Sequence, residues 1–148
     1  MSLPRQRVTL ITLGVRDMVR ARAFYEGWGW RRHPGSPEGL ALYQLQGAAL
    51  ALFTLGELAA DQGRPEAALG TGAMTLAQNC GSEAEVDAVF EAGRAAGGTA
   101  LKRPERVFWG GYSGYLADPD GHVWELAFNP GWPLAADGSL TLPEPPAG

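Results

Sequence analysis

The chain has 148 residues, 45% of them hydrophobic, and carries a net charge of −4. That is enough for one domain of ordinary size with a real core. An acidic balance without any Lys/Arg run argues against nucleic acid and anionic membranes as partners. The single cysteine, Cys80, rules out a disulfide framework and reads as a small buried hydrophobe.

At the start, "MSLPRQRVTLITLGVRD" has an apolar stretch too short for a signal peptide and no small-residue cleavage pattern. No run approaches the length of a membrane span. The expectation is a cytoplasmic protein. Residues 8–15, "VTLITLGV", are β-branched and apolar and predict a strand. Asp17 is placed to cap a helix that sets Met18, Ala21, Tyr25 and Trp28 near one face and stops at Gly27 and Gly29. "WRRHP" predicts a short strand, and 40–46 and 49–54 predict two more around a turn at Gly47. Residues 55–70 read as a Gly- and Ala-rich connector with one short helix.

The pattern then restarts. Residues 72–80 predict a strand. Ser82 and Glu85 form a capping box. Val86, Val89, Phe90 and Gly93 follow at i, i+3, i+4 and i+7 on one helical face, and Gly97-Gly98 ends it. "TALKRP" predicts a short strand ended by Pro104. "GYSGYLA" and "HVWELAFN" predict the arms of a hairpin around Asp118-Pro119-Asp120-Gly121. The two starts lie roughly 64 residues apart, a repeat of pattern and not of identity. The expected fold is α+β, two βαβββ modules whose curved mixed sheets surround a cavity. The modules span 7–54 and 71–130, within one domain at 7–130. Residues 131–148 are expected to be a Pro-rich tail, anchored by Trp132 and Leu134 and frayed from Pro143 onward.

The doubled pattern, "VRDMVRARAFYEGWGW" after a first strand and "YLADPDGHVWEL" near the end resemble the vicinal oxygen chelate superfamily. That group includes glyoxalase I, bleomycin-resistance proteins and extradiol dioxygenases. The resemblance covers about residues 7–130. It implies paired βαβββ modules and a small-molecule cavity, but no particular reaction. Metal-dependent members take one ligand each from the first, fourth, fifth and eighth strands. Those places fall here near Leu10, Leu52, Ala73 and Glu125, of which only Glu125 has a side chain able to bind a metal. A catalytic divalent ion needs about three protein ligands. The expectation is therefore no metal and no other cofactor. His33 lies outside the ligand strands, and His122 is an odd number of residues from Glu125, hence on the other face.

Glu125 is the one acid in an otherwise apolar strand. Three roles are open to it: an inherited carboxylate without chemistry, an acceptor that orients a ligand, or a general base. Val123 and Ala127 share its face; Trp124, Leu126 and Phe128 face the helix. Trp109, Tyr112 and Tyr115, interleaved with Gly110, Gly111 and Gly114, read either as core or as a pocket for a flat ligand. Such a pocket would be lined by Trp109 and Tyr112 with Phe53 or Tyr43 from the first module. If the hairpin pairs in short register, Tyr112 and Gly114 share the face of Glu125, and Tyr115 packs away from it; a bulge reverses this. The leading function is binding of a small apolar or aromatic molecule, as in the drug-sequestering members. The alternative is an enzyme: a metal-dependent lyase or dioxygenase with displaced ligands, or a metal-free isomerase using Glu125. The resemblance also implies a homodimer.

Overall fold

The computed structural model describes residues 5–146; residues 1–4 and 147–148 lie outside the described residues, the latter within the tail end expected to fray. The chain divides into two units, one up to Gly70 and one from Thr71 onward.

In the first unit, β1 (Leu10–Val15) leads into α1 (Met18–Gly27). The Asp17 side chain accepts from the Arg20 N–H at 3.1 Å, the cap its position predicts. The helix ends at Gly27, and Gly29 follows with φ +109°. β2 (Leu40–Gln44) and β3 (Ala49–Thr54) complete a three-stranded sheet in the order β1-β3-β2, with β1 parallel to β3 and β2 antiparallel to it. The connector holds α2 (Leu55–Gln62) and a 3-10 turn at Glu66–Ala68.

The strand expected at "WRRHP" is reduced to one bridge, Arg32 to Tyr43. His33 N–H still donates to the Leu42 carbonyl at 2.7 Å. Beyond it, Pro34 and Gly35 turn the chain, and the Ser36 hydroxyl takes over as the acceptor for Leu42 N–H at 3.0 Å. A side-chain oxygen thus replaces the next rung of the ladder.

The second unit repeats the plan with a full fourth strand. β4 (Thr75–Asn79), α3 (Glu83–Ala95), β5 (Thr99–Arg106), β6 (Tyr112–Ala117) and β7 (Val123–Phe128) form a sheet in the order β4-β7-β6-β5. β4 runs parallel to β7, and the other pairs are antiparallel. Ser82 Oγ accepts from Glu85 N–H at 3.1 Å, while the Glu85 carboxylate accepts from Gly81 N–H at 2.7 Å. The box therefore closes one residue earlier than its usual form. Val86, Phe90 and Gly93 are buried, and α3 packs on β5, β6 and β7. Beneath it lie Leu116, Trp124 and Leu126.

Pro104 does not end its strand. β5 runs on to Arg106 because Pro104 falls in the register shift between Lys102 and Glu105 of this edge strand, where it has no partner in the ladder. Its pairing with β6 shifts between Ala100 and Lys102 and again between Lys102 and Glu105. Gly114 of β6 makes room for the ring: a Cβ there would stand 2.7 Å from Pro104 N and 2.9 Å from Cδ. In the tail, Leu134 is half-buried and Trp132 is exposed.

Candidate functional site

The two hairpins of the second unit share one turn design, and that design decides which side chains meet. Asp118 N–H donates to the His122 carbonyl at 2.9 Å, and Gly121 N–H donates to the Asp118 carbonyl at 3.0 Å. Gly121 has φ +90°, the left-handed residue of a type I turn with a one-residue bulge. Asp118 Oδ1 accepts from both Asp120 N–H and His122 N–H at 2.9 Å. The turn before β6 copies this: Val107 N–H donates to Gly111, Gly110 N–H to Val107, and Gly110 has φ +90°.

The bulge moves the β6–β7 pairing by one residue from the short register. Tyr115, not Gly114, stands opposite Glu125, while Tyr112 pairs with Phe128 and Gly114 with Leu126. The faces considered for a short register are therefore reversed. The Tyr115 hydroxyl donates to Glu125 Oε2 at 2.8 Å. This bond, with burial adding to it, raises the Tyr115 pKa. Tyr112 points to the helix side, where its hydroxyl donates to Asp87 Oδ1 of α3 at 2.6 Å. That bond leads the causes that push the Tyr112 pKa up to about 12. Tyr112 thus ties β6 to α3 and does not share the face of Glu125.

In register around Glu125 lie Ala77 of β4 on one side and Tyr115 of β6 on the other. The flanking pairs on that face are Ala117 with Val123 and Ser113 with Ala127. Glu125 and Tyr115 are half-buried; Ala117, Ala127 and Ser113 are buried; Ala77 is exposed. Lys102 of β5 stands opposite Tyr115 and Glu105 opposite Ser113, so both extend the same face. Lys102 Nζ pairs with Glu105 Oε1 at 3.1 Å. A half-buried carboxylate therefore sits among methyl groups, with the Tyr115 phenol bonded to it and the buried Ser113 hydroxyl on the same face. Burial holds the Cys80 thiol elsewhere, its pKa pushed up to about 11, away from any role as nucleophile.

The other residues expected at a site are dispersed. Tyr43 is 1% exposed and belongs to the α1 side of the first sheet. Its ring meets those of Tyr25 at 6.1 Å and Trp30 at 5.7 Å. Burial, with Glu26 adding to it, raises its pKa. Phe53 pairs with Leu40 and so alternates with Leu52 to the opposite face, half-buried. Tyr43 and Phe53 do not line one surface. Trp109 occupies the hairpin tip, 43% exposed, with its indole against Gly111. Tyr115 and Lys102 join this face although the short register turns Tyr115 away from it and nothing in the chain marks Lys102. The signal for Tyr115 was in the chain: glycine at the fourth position of Asp-Pro-Asp-Gly marks the bulge that sets Tyr115 opposite Glu125.

The places aligned with metal ligands also separate. Leu10 pairs with Ala49, and Leu52 with Leu13, an odd number of residues apart on each strand, so Leu10 and Leu52 project to opposite faces. Ala73 precedes β4, whose residue in register with Glu125 is Ala77. Among the described residues, no three His, Cys, Asp or Glu side chains are grouped to hold a metal ion. The carbon-lined surroundings of Glu125 do not fit a divalent cation, which calls for several N, O⁻ or S⁻ donors. His33 is engaged locally, with Nδ1 accepting from Gly35 N–H at 3.0 Å.

The paired halves, the parallel first and last strands of each sheet and the Asp-Pro-Asp-Gly turn ahead of Glu125 define a class. The chain belongs to the Glyoxalase/Bleomycin resistance protein/Dioxygenase superfamily, whose family model matches residues 7–126. Among solved structures, it is similar to a glyoxalase-related enzyme from Fulvimarina pelagi. The two share 42% identity and a TM-score of 0.84, over 93% of this chain and 99% of that one. A lactoylglutathione lyase from Agrobacterium tumefaciens shares the fold at 24% identity and TM-score 0.65, over 86% of this chain and 96% of that one. So does the fosfomycin resistance protein FosX from Mesorhizobium loti, at 19% identity and TM-score 0.62, over 85% and 94%. No curated protein matches the chain. Among the described residues, no helix is long and apolar enough to cross a membrane.

Proposed function

We propose that this protein binds a small molecule with an apolar or aromatic body, without a metal, in the manner of a sequestering resistance protein. The binding surface is the face of the second sheet that carries Glu125 and Tyr115. The observation behind this reading is the placement of Glu125: half-buried, one oxygen held by Tyr115, and ringed by Ala77, Ala117, Val123 and Ala127, with Ser113 the other polar side chain of the flanking pairs. Small side chains leave room for a ligand body, and the carboxylate gives it one oriented polar contact. The protein works in the cytoplasm and as a homodimer on this reading.

A second reading is favoured by a specific feature. Among the described residues, only the Tyr115 hydroxyl bonds the Glu125 side chain, and it takes Oε2. Oε1 is left for a proton, as a general base requires. The relative at 42% identity carries the word enzyme in its name.

One variant separates these readings. Glu125→Gln keeps volume and fold. If Glu125 orients a ligand, the affinity for any hit from a small-molecule thermal-shift screen should fall by about 1–3 kcal/mol, the scale of a charged hydrogen bond. If Glu125 is a base, the amide should bind nearly as well and turn over nothing. Unchanged affinity and unchanged turnover would remove Glu125 from both roles.

A further inference from the structure

We infer that the group meeting Glu125 is a protonated amine, so that the ligand class is a small organic cation with an apolar or aromatic body. This rests on the reading of the Glu125 face as a ligand site and adds the charge of the ligand. The argument starts from charge balance. The ion pairs near this sheet are Lys102 with Glu105, Arg103 and Arg94 with Glu91, and Arg106 with Glu83. Glu125 enters none of them, and among the described residues no Lys, Arg or His lies within ion-pair distance of it. The cation nearest in the pairing is Lys102, one strand beyond Tyr115 and already held by Glu105.

A ligand body that covers this face takes the carboxylate out of water. A neutral ligand would leave a desolvated charge with one hydrogen bond from Tyr115, which is the costly case. A ligand acid would add a like charge. An ammonium supplies the opposite charge and up to three donors for the acceptor sites that Tyr115 leaves open. The phenol ring next to it in register adds an aromatic surface of the kind that cations favour. The carbon of Ala77, Val123 and Ala127 suits the apolar body and offers no competing donor.

The test uses three probes of matched shape on the full chain at pH 7: benzylamine, benzyl alcohol and phenylacetate, each titrated by NMR. Benzylamine should bind at least tenfold more tightly than benzyl alcohol, with phenylacetate weakest. Glu125→Gln, checked for an unchanged fold by circular dichroism, should erase that preference. The ranking of the three probes on the unaltered protein stands even if a variant fails to fold. Equal binding of the amine and the alcohol would overturn the cation and leave the small-molecule reading intact. Preference for phenylacetate, lost in Lys102→Ala, would overturn it by moving the contact to Lys102. Binding of none of the three would overturn both.

Discussion

Two tyrosines three residues apart do different work because strand side chains alternate. Tyr115 meets Glu125 across the hairpin, and Tyr112 meets Asp87 on the helix. Each hydroxyl donates to a carboxylate, so losing its proton would set two negative charges together. Both pKa values are raised, chiefly by these bonds, Tyr112 to about 12. An unfolded tyrosine releases its proton near its usual value of about 10. The folded groups hold theirs longer, so the stabilisation is complete below that pH and is lost as pH rises through the folded values. Urea midpoints should therefore fall more steeply between about pH 10 and 12 than in the double variant Tyr112→Phe/Tyr115→Phe. Equal slopes would show that neither bond persists in solution. At neutral pH, Tyr115→Phe should cost about 1 kcal/mol, since the bond is charged but partly open to water.

At the scale of elements, the strands of the second unit depend on close approach at one point. β5 carries Pro104 against the backbone of β6, and only the absent side chain of Gly114 allows it. Gly114→Ala puts a methyl group within 2.7 Å of Pro104 N, an atom of the backbone that cannot swing away. Separation of the strands, or rearrangement of the bulged register, should cost about 1–3 kcal/mol, the range for overpacking. Thermal melting would read it, and an unchanged melting temperature would show that the edge strand moves freely. Pro104→Ala should be nearly neutral by the same measurement, because position 104 lies in the register shift and has no partner in the ladder. This element was only half legible from the chain. Proline breaks an interior strand and is harmless at an edge, and which of the two applies depends on strand order. Likewise "WRRHP" has the residues of a strand, but the Ser36 hydroxyl, a partner outside the segment, ends its ladder after one bridge.

For the whole molecule, two outcomes follow from composition and surface. Chelator should leave the melting temperature unchanged, and protein purified without an affinity tag should hold no stoichiometric Ni, Zn, Fe or Mn. A bound metal stabilises by mass action, so one ion per chain, lost together with thermal stability, would overturn the metal-free reading. The chain should also pair with a second copy. Phe108 at the hairpin tip is 101% exposed, and Leu101 on the edge strand β5 is 54% exposed. Apolar tips and open edges invite covering. Light scattering at micromolar concentration should return twice the chain mass, and the mass of one chain would count against this.

By itself the sequence determined what is local. Caps at Asp17 and Ser82, the helical face of Val86 and Phe90 and the turn at Asp118 all depend on residues within a few positions of one another, and the doubled order of elements is the sum of such local signals. The absence of His, Cys, Asp and Glu from β1, β3 and β4 is a matter of residue identity alone. The tertiary structure decided which side chains share a surface. A strand alternates with a period of two, so one bulge residue, Gly121, carries Tyr115 to Glu125 and sends Tyr112 to α3. The same parity separates Tyr43 from Phe53 and Leu10 from Leu52. The neighbours of Glu125 were fixed by pairing across β4, β6 and β7, between residues up to about fifty positions apart, where no short stretch of chain carries the register.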